Sequence, residues 1–312
     1  MPDDPLPDEH RLVSTIGAAL ARAGRPADLT DDCAFVTGPT SLVTTDTLVE
    51  GVHFDLALDT PAEVGAQAAV QNLSDLAASG GAAGWLVWSL CLGPAHRTLA
   101  FVEALTDGFA GTAARFGAAI VGGNLSRTPG PLVIAVTAGG PLSGPRPLTR
   151  AGARPGQGIY VTGPLGDAAL GVEDAGARAA RHAWRPHLAE AARLAVHDGI
   201  GACIDVSDGL LIDAGRVAAA SGVTLALDSA AVPLGPACVA LGDPSRARRL
   251  ALTGGEDYVL LFTASTPPPG LATHRIGTVL PAGDGGVRVD GASPRGPRGW
   301  DHFGAGSPET LP

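Results

Sequence analysis

The sequence predicts an α/β protein with mixed (α+β) sheets, divided into an N-terminal domain over residues 1–145 and a C-terminal α/β domain over 146–312. Three observations carry this. Strand-like apolar runs alternate with helical periodicity in the first half; a stretch dense in Gly and Pro, GGPLSGPRPLTRAGARPGQG, breaks the pattern; and a second alternation starts beyond it at GIYVTG. A chain of 312 residues, 45% of them hydrophobic, can fill two cores of ordinary size.

In the first half, the β-branched run Leu42 to Val49 reads as a strand, Ala62 to Ser79 as a helix and the apolar run Trp85 to Leu92 as a strand. A helix over about Thr98 to Phe116 follows, with Val102, Leu105, Phe109 and Phe116 at helical spacing, then strands at Ala118 to Val121 and Leu132 to Ala138. GGNLSR, from Gly122 to Arg127, is expected to form a glycine turn that lets backbone approach a ligand. In the second half, helices are expected after Gly166, from His187 to about Asp198, and from Asp208. Strands are expected at Val223 to Leu227, at Tyr258 to Phe262 and near Ile276. YVTGPLGDAALG reads as strand, turn and helix, but its glycines do not fit GxGxxG and no acidic residue ends a second strand at the required distance. A dinucleotide site is rejected there.

Composition narrows the chemistry. A formal charge of −10 argues against nucleic acid as a partner, since that binding rests on basic patches. The longest apolar stretch falls well short of the ~20 residues of a membrane-spanning helix, and the start, MPDDPLPDEH, is acidic, so a cytoplasmic protein without a membrane partner is expected. All 21 basic residues are arginine. A GC-rich genome accounts for that, yet the absence of lysine excludes a Walker-A loop, a protein-kinase site and Schiff-base chemistry. Cys33, Cys91, Cys203 and Cys238 are scattered without a CxxC pair and read as free thiols, and the histidines form no HExxH motif.

What the sequence does repeat is carboxylate beside small or hydroxyl residues: Asp31 and Asp32 in DDCA, Asp46 in TTD, Asp75 in NLSD, and Asp205 and Asp208 in IDVSDG. Magnesium takes such oxygens, a few from carboxylates and the rest from water and phosphates. Singly, each Asp is better explained as a turn former or cap, and only the joint pattern points to metal. Asn72 and Asp75, three apart on a helix, share a face and suit a polar stripe aimed at a site. In IDVSDG a strand meets a helix start, where Ser207 can cap and leave N–H groups for a phosphate oxygen.

The ordered set DDCA, TTDTLVEGVHF, AVQNLSDLAASGG, GGNLSR, LTRAGARPG, YVTGPLGDAALG, IDVSDGL, LTGGEDYVLLF and GWDHF resembles the thiamine-monophosphate kinases, from about Asp31 to Phe303. That family lies within the aminoimidazole-ribonucleotide-synthetase-like superfamily. The resemblance implies the two-domain PurM-like fold, a homodimer formed through the N-terminal sheet, and transfer of the ATP γ-phosphoryl to thiamine monophosphate with several Mg2+ ions. Carried over by position, the metal ligands would be Asp32, Thr44, Thr45, Asp46, Asp75, Asn124, Asp205 and Asp208. ATP would meet Gly123, Asn124, Arg150 and Ser207, and thiamine monophosphate would meet His53, Glu256 and Trp300.

These roles are chemically coherent. The nucleophile is a phosphate oxygen that is already anionic near neutrality, since a phosphomonoester's second pKa is about 6. No protein general base is needed, and catalysis reduces to positioning and charge neutralisation. A carboxylate and an indole suit a thiazolium cation. Asn124 stands where many relatives carry Asp, and brings an oxygen without charge; Phe116 is assigned to the core. Two alternatives remain: another ATP-dependent enzyme of the superfamily with a different acceptor, or a noncatalytic ATP-binding homologue. A selenophosphate synthetase is disfavoured by the lack of a reactive Cys and a Lys near the start.

Overall fold

A computed structural model of the chain describes residues 31, 33–36, 41–283 and 286–301. Asp32 and the end of the GWDHF motif lie outside the described residues. The first sheet has strands β1 (Ala34–Val36), β2 (Ser41–Val49), β3 (Trp85–Leu92), β4 (Ala119–Arg127) and β5 (Val133–Pro141), in the order β1-β2-β5-β3-β4. Neighbours run antiparallel except β3 and β4.

Helices α1 (Pro61–Ala78) and α2 (Leu99–Arg115) pack on this sheet. The start of α1 is fixed locally: Thr60 and Glu63 form a capping box and Pro61 occupies the first turn, where its missing N–H costs nothing. The two helices approach closely because Gly65 and Gly108 face them. A Cβ on Gly65 would strike the Leu105 carbonyl, and one on Gly108 the Ala62 carbonyl. The core beneath them is Leu42, Leu48, Leu73, Leu86, Phe109 and Ile134, with Trp88 stacked on Phe109 at 4.2 Å.

Residues 142–157 carry no helix or strand, and the second sheet follows: β6 (Gly158–Val161), β7 (Ile200–Asp205), β8 (Thr224–Leu227), β9 (Leu260–Ala264), β10 (His274–Leu280) and β11 (Gly286–Val289), ordered β11-β8-β10-β6-β9-β7. Its helices are α3 (Asp167–Glu173), α4 (Arg178–Arg181), α5 (Leu188–Ala195), α6 (Leu210–Ser221), α7 (Pro236–Ala240) and α8 (Pro244–Thr253). The end of α1 reaches this half: Ala77 and Ala78 are buried with Leu148, Leu194, Leu260 and Phe262. That contact brings the carboxylates of α1 to those of β7. None of the described helices is long and apolar enough to cross a membrane.

Four local expectations are corrected. GGNLSR is not a turn; β4 absorbs an irregularity against β3 between Leu86 and Val87 and continues as strand to Arg127. The strand expected from Tyr258 begins only at Leu260, because Glu256 and Tyr258 hold φ of 65° and 52°, which extended backbone does not allow. Ser207 does not cap α6; Gly209 occupies that position. Asn72 is fully buried and donates to the Ala68 carbonyl, so it does not share an open face with Asp75. The helices α7 and α8 and strand β11 were not foreseen, although Asp243 capping a helix with Pro244 in its first turn is a readable start signal.

Candidate active site

Strand alternation on β2 sorts the TTD residues. Thr44 points to α1 and donates to Asp75 at 2.6 Å, while Thr45 turns to the opposite face and bonds the Val136 carbonyl at 2.9 Å. Asp46 shares the Thr44 face. One residue before Asp75 on α1, Ser74 donates at 2.5 Å to Asp205, which ends β7 and is 1% exposed. Two hydroxyl–carboxylate bonds therefore tie β2, α1 and β7 together.

The buried Tyr258 reports how the charges gather. Its hydroxyl is pushed well above the ordinary tyrosine value, first by burial and then by the negative charges of Glu256, Asp46 and Asp205. Carboxylates from three distant segments thus all act on one phenol. Asp208, just past β7, pairs with Arg216 at 2.7 Å. The turn it sits on is held by Asp213, which is completely buried and accepts from the N–H groups of Ser207, Asp208 and Gly209 at 3.1–3.2 Å. The N–H groups expected to await a phosphate are taken up by this carboxylate.

At the other end, His53 accepts the Val49 N–H on Nδ1 at 2.9 Å, and Glu256 pairs with the buried Arg181 at 3.1 Å. Burial pushes the Glu256 carboxyl above its usual range, and Arg181 offsets this only in part. Asp59 sits across Arg181; its burial opposes ionisation, but a bond from His182 and the Arg181 charge outweigh it and hold the carboxyl low. Trp300 is joined to the Asp208 turn by its backbone N–H, at 2.8 Å from the Asp208 carbonyl.

The Arg150 N–H donates to Asp31 at 2.7 Å. Gly123 and Asn124 lie on the exposed β4. Gly123 is needed there because a Cβ would meet the Trp88 ring, and Asn124 reaches only Ser89, at 3.4 Å. Neither bonds any of the described site carboxylates.

The donor set formed by Asp46, Asp75, Asp205, Asp208 and Thr44 is all oxygen, with neither thiolate nor imidazole, which suits Mg2+ and not zinc. Among the described residues no three His, Cys, Asp or Glu side chains converge on one point to cage a metal. Sequence reasoning missed Gln67, Asp59, Arg181 and Asp213. Asp213 had a signal, an acid in the first turn of a helix; Arg181 was hidden among the arginines of RAARHAWRPH.

The family model of the AIR synthase related protein N-terminal domain matches residues 30–142. The chain is 40% identical over 291 residues to the thiamine-monophosphate kinase of Mycobacterium tuberculosis (strain ATCC 25618 / H37Rv), covering 88% of this chain and 85% of that one. Against that of Escherichia coli (strain K12) it is 37% identical over 247 residues, covering 75% and 74%. Among solved structures, AaThiL complexed with AMPPCP and TMP is 32% identical with a TM-score of 0.83, covering 95% of this chain and 97% of that one. The hydrogenase maturation protein HypE of E. coli, at 20% identity and a TM-score of 0.63, shares the fold alone.

Proposed function

Since the chain belongs to the thiamine-monophosphate kinase family and has the aminoimidazole-ribonucleotide-synthetase-like (PurM-like) fold, we propose that it converts ATP and thiamine monophosphate to ADP and thiamine diphosphate, with Mg2+, by in-line γ-phosphoryl transfer. The observation that carries this reading is the pair of hydroxyl–carboxylate bonds, Thr44 to Asp75 and Ser74 to Asp205, which bring the acidic residues of β2, α1 and β7 together. So many buried or half-buried carboxylates call for cations, and lysine supplies none.

The residues divide by task. Asp32, Thr44, Thr45, Asp46, Asp75, Asn124, Asp205 and Asp208 would hold Mg2+, which when bound offsets the charge of two polyanions brought into line. The Thr44 and Ser74 hydroxyls orient Asp75 and Asp205, and Asp213 fixes the turn that presents Asp208 and Ser207. Gly123, Asn124, Arg150 and Ser207 would meet ATP. His53, Glu256 and Trp300 would hold the acceptor, whose thiazolium suits the Glu256 carboxylate and the indole. The acceptor oxygen is already anionic, so no side chain acts as general base.

Residues 1–145 would carry nucleotide, metal and dimer contacts, and 146–312 would complete the site. The dimer reading is supported by the open edge strand β4, on which Ile120, Val121 and Leu125 are 41%, 61% and 65% exposed. The acidic net charge argues against nucleic acid as a partner, and a cytoplasmic place is part of the same reading. The test is ADP release with thiamine monophosphate, free thiamine or no acceptor, with and without Mg2+, and chromatographic identification of the product. Thiamine diphosphate formed only from the monophosphate is expected; ATP binding without transfer would reassign the acceptor.

A further inference from the structure

Arg181 is the largest fully buried side chain among the described residues. Burying a guanidinium costs several kcal/mol unless its hydrogens and charge are met. Here they are met by two segments remote in sequence, the connection that carries His53 and Asp59 and the turn that carries Glu256. Nη1 reaches both Asp59 oxygens at 2.9 and 2.8 Å, Nε reaches Glu256 Oε2 at 3.1 Å, and Nη2 reaches the His53 carbonyl at 3.2 Å. A second donor repeats two of these contacts. Gln67, on α1 and 1% exposed, sends Nε2 to Glu256 Oε1 at 2.6 Å and to the His53 carbonyl at 3.4 Å.

From this geometry we infer that Arg181 and Gln67 are positioning residues for the acceptor substrate, acting through Glu256 and His53, whose separation and orientation they fix. The inference rests on the proposed contact of Glu256 and His53 with thiamine monophosphate. Three features set the arrangement apart from simple core stabilisation. The pair is one-sided: the Arg181 side chain is 1% exposed, but that of Glu256 is 23% exposed, so Glu256 is gripped from within while part of its side chain meets solvent. Glu256 is held at φ 65°, a strained conformation for a non-glycine residue, with its N–H on the Ser207 carbonyl at 2.8 Å. Two acceptors fix which end of the Gln67 amide is nitrogen, and its buried Oε1 has no hydrogen-bond partner among the described residues, so the amide is held by its donor end alone, on Glu256 and the His53 carbonyl.

The test compares Gln67→Met and Arg181→Lys in the otherwise unaltered chain, and Gln67→Met in a Glu256→Ala background, by steady-state kinetics with each substrate varied. Either single variant is expected to raise the KM for thiamine monophosphate about fivefold or more, with the KM for ATP unchanged within about twofold. In the Glu256→Ala background Gln67→Met should add less than about twofold, because the short contact of Gln67, at 2.6 Å, is with the missing carboxylate, and the 3.4 Å contact with the His53 carbonyl is too long to carry much. If Arg181→Lys does not fold, Gln67→Met decides alone, since it removes a neutral donor and keeps most of the volume. Equal losses toward ATP and acceptor, or a full effect of Gln67→Met without Glu256, overturn the inference. Should Glu256→Ala itself leave acceptor binding intact, both the substrate reading of Glu256 and this inference fall. If Glu256→Ala weakens acceptor binding and Gln67→Met does not, only the positioning role falls.

Discussion

Replacing Asp213 with Ala tests whether one unforeseen carboxylate holds the turn that carries Ser207 and Asp208. The side chain is completely buried and accepts from three consecutive N–H groups at 3.1–3.2 Å, and its other oxygen pairs with Arg216 at 2.6 Å. The backbone bonds are long, so each is taken at about 1 kcal/mol, and the pair with part-exposed Arg216 at about 0.5–1 kcal/mol, which together give a loss of about 3–4 kcal/mol. The assay is urea unfolding at neutral pH, with turnover measured on the same preparations. Asp213→Asn keeps one acceptor oxygen and should lose roughly half as much. Both variants should also lose turnover, because the freed turn no longer presents Asp208, the residue paired with Arg216 at 2.7 Å. A loss below about 1 kcal/mol, or full turnover in Asp213→Ala, would refute the assignment of the turn to this residue.

Three further outcomes are expected. Burial, followed by the Arg185 charge, lowers the His187 pKa from 6.5 to about 4, so the stability it contributes is complete above about pH 6.5 and is lost as pH falls toward 4. The loss is about 3 kcal/mol at most, and a His187→Gln variant should lack that part of the pH slope in urea titrations. Gly108→Ala should cost about 1–3 kcal/mol by driving α2 off the Ala62 carbonyl, whereas Gly111→Ala, whose Cβ meets nothing, should be neutral or gain up to about 1 kcal/mol in helix propensity; equal melting temperatures for the two would contradict the packing argument. Asp205→Asn should abolish or strongly reduce transfer and raise the Mg2+ needed for what remains, with some loss of melting temperature because the Ser74 bond is altered; wild-type turnover would remove Asp205 from the site.

The site was legible where chemistry is local. Asp46, Asp75 and Asp205 stood out because carboxylate recurs there beside small or hydroxyl residues; Asp205 does end its strand, whereas Asp46 and Asp75 lie within β2 and α1, and hydroxyl bonds tie the three elements together. Thr45 was named with them through the family resemblance, and the two-residue period of a strand sends its hydroxyl to the other face. GGNLSR looked like a turn because glycine usually ends a strand, yet here Gly123 is required inside one, where Trp88 lies across it.

By itself, the sequence determined the alternation of elements, the break after the first sheet, the exclusion of lysine chemistry and the oxygen-rich donor set, because these depend on residue type and short spacing. Only the tertiary structure decided that Arg181 would be buried between Asp59 and Glu256, that Asp213 would occupy the N–H groups of the Asp208 turn, and that Glu256 would adopt a left-handed backbone. The physical reason is that a buried charge is tolerable only where folding delivers its partners. Arg181 meets Asp59 across 122 positions and Glu256 across 75, distances over which no local pattern in a chain rich in arginine could name the pairing.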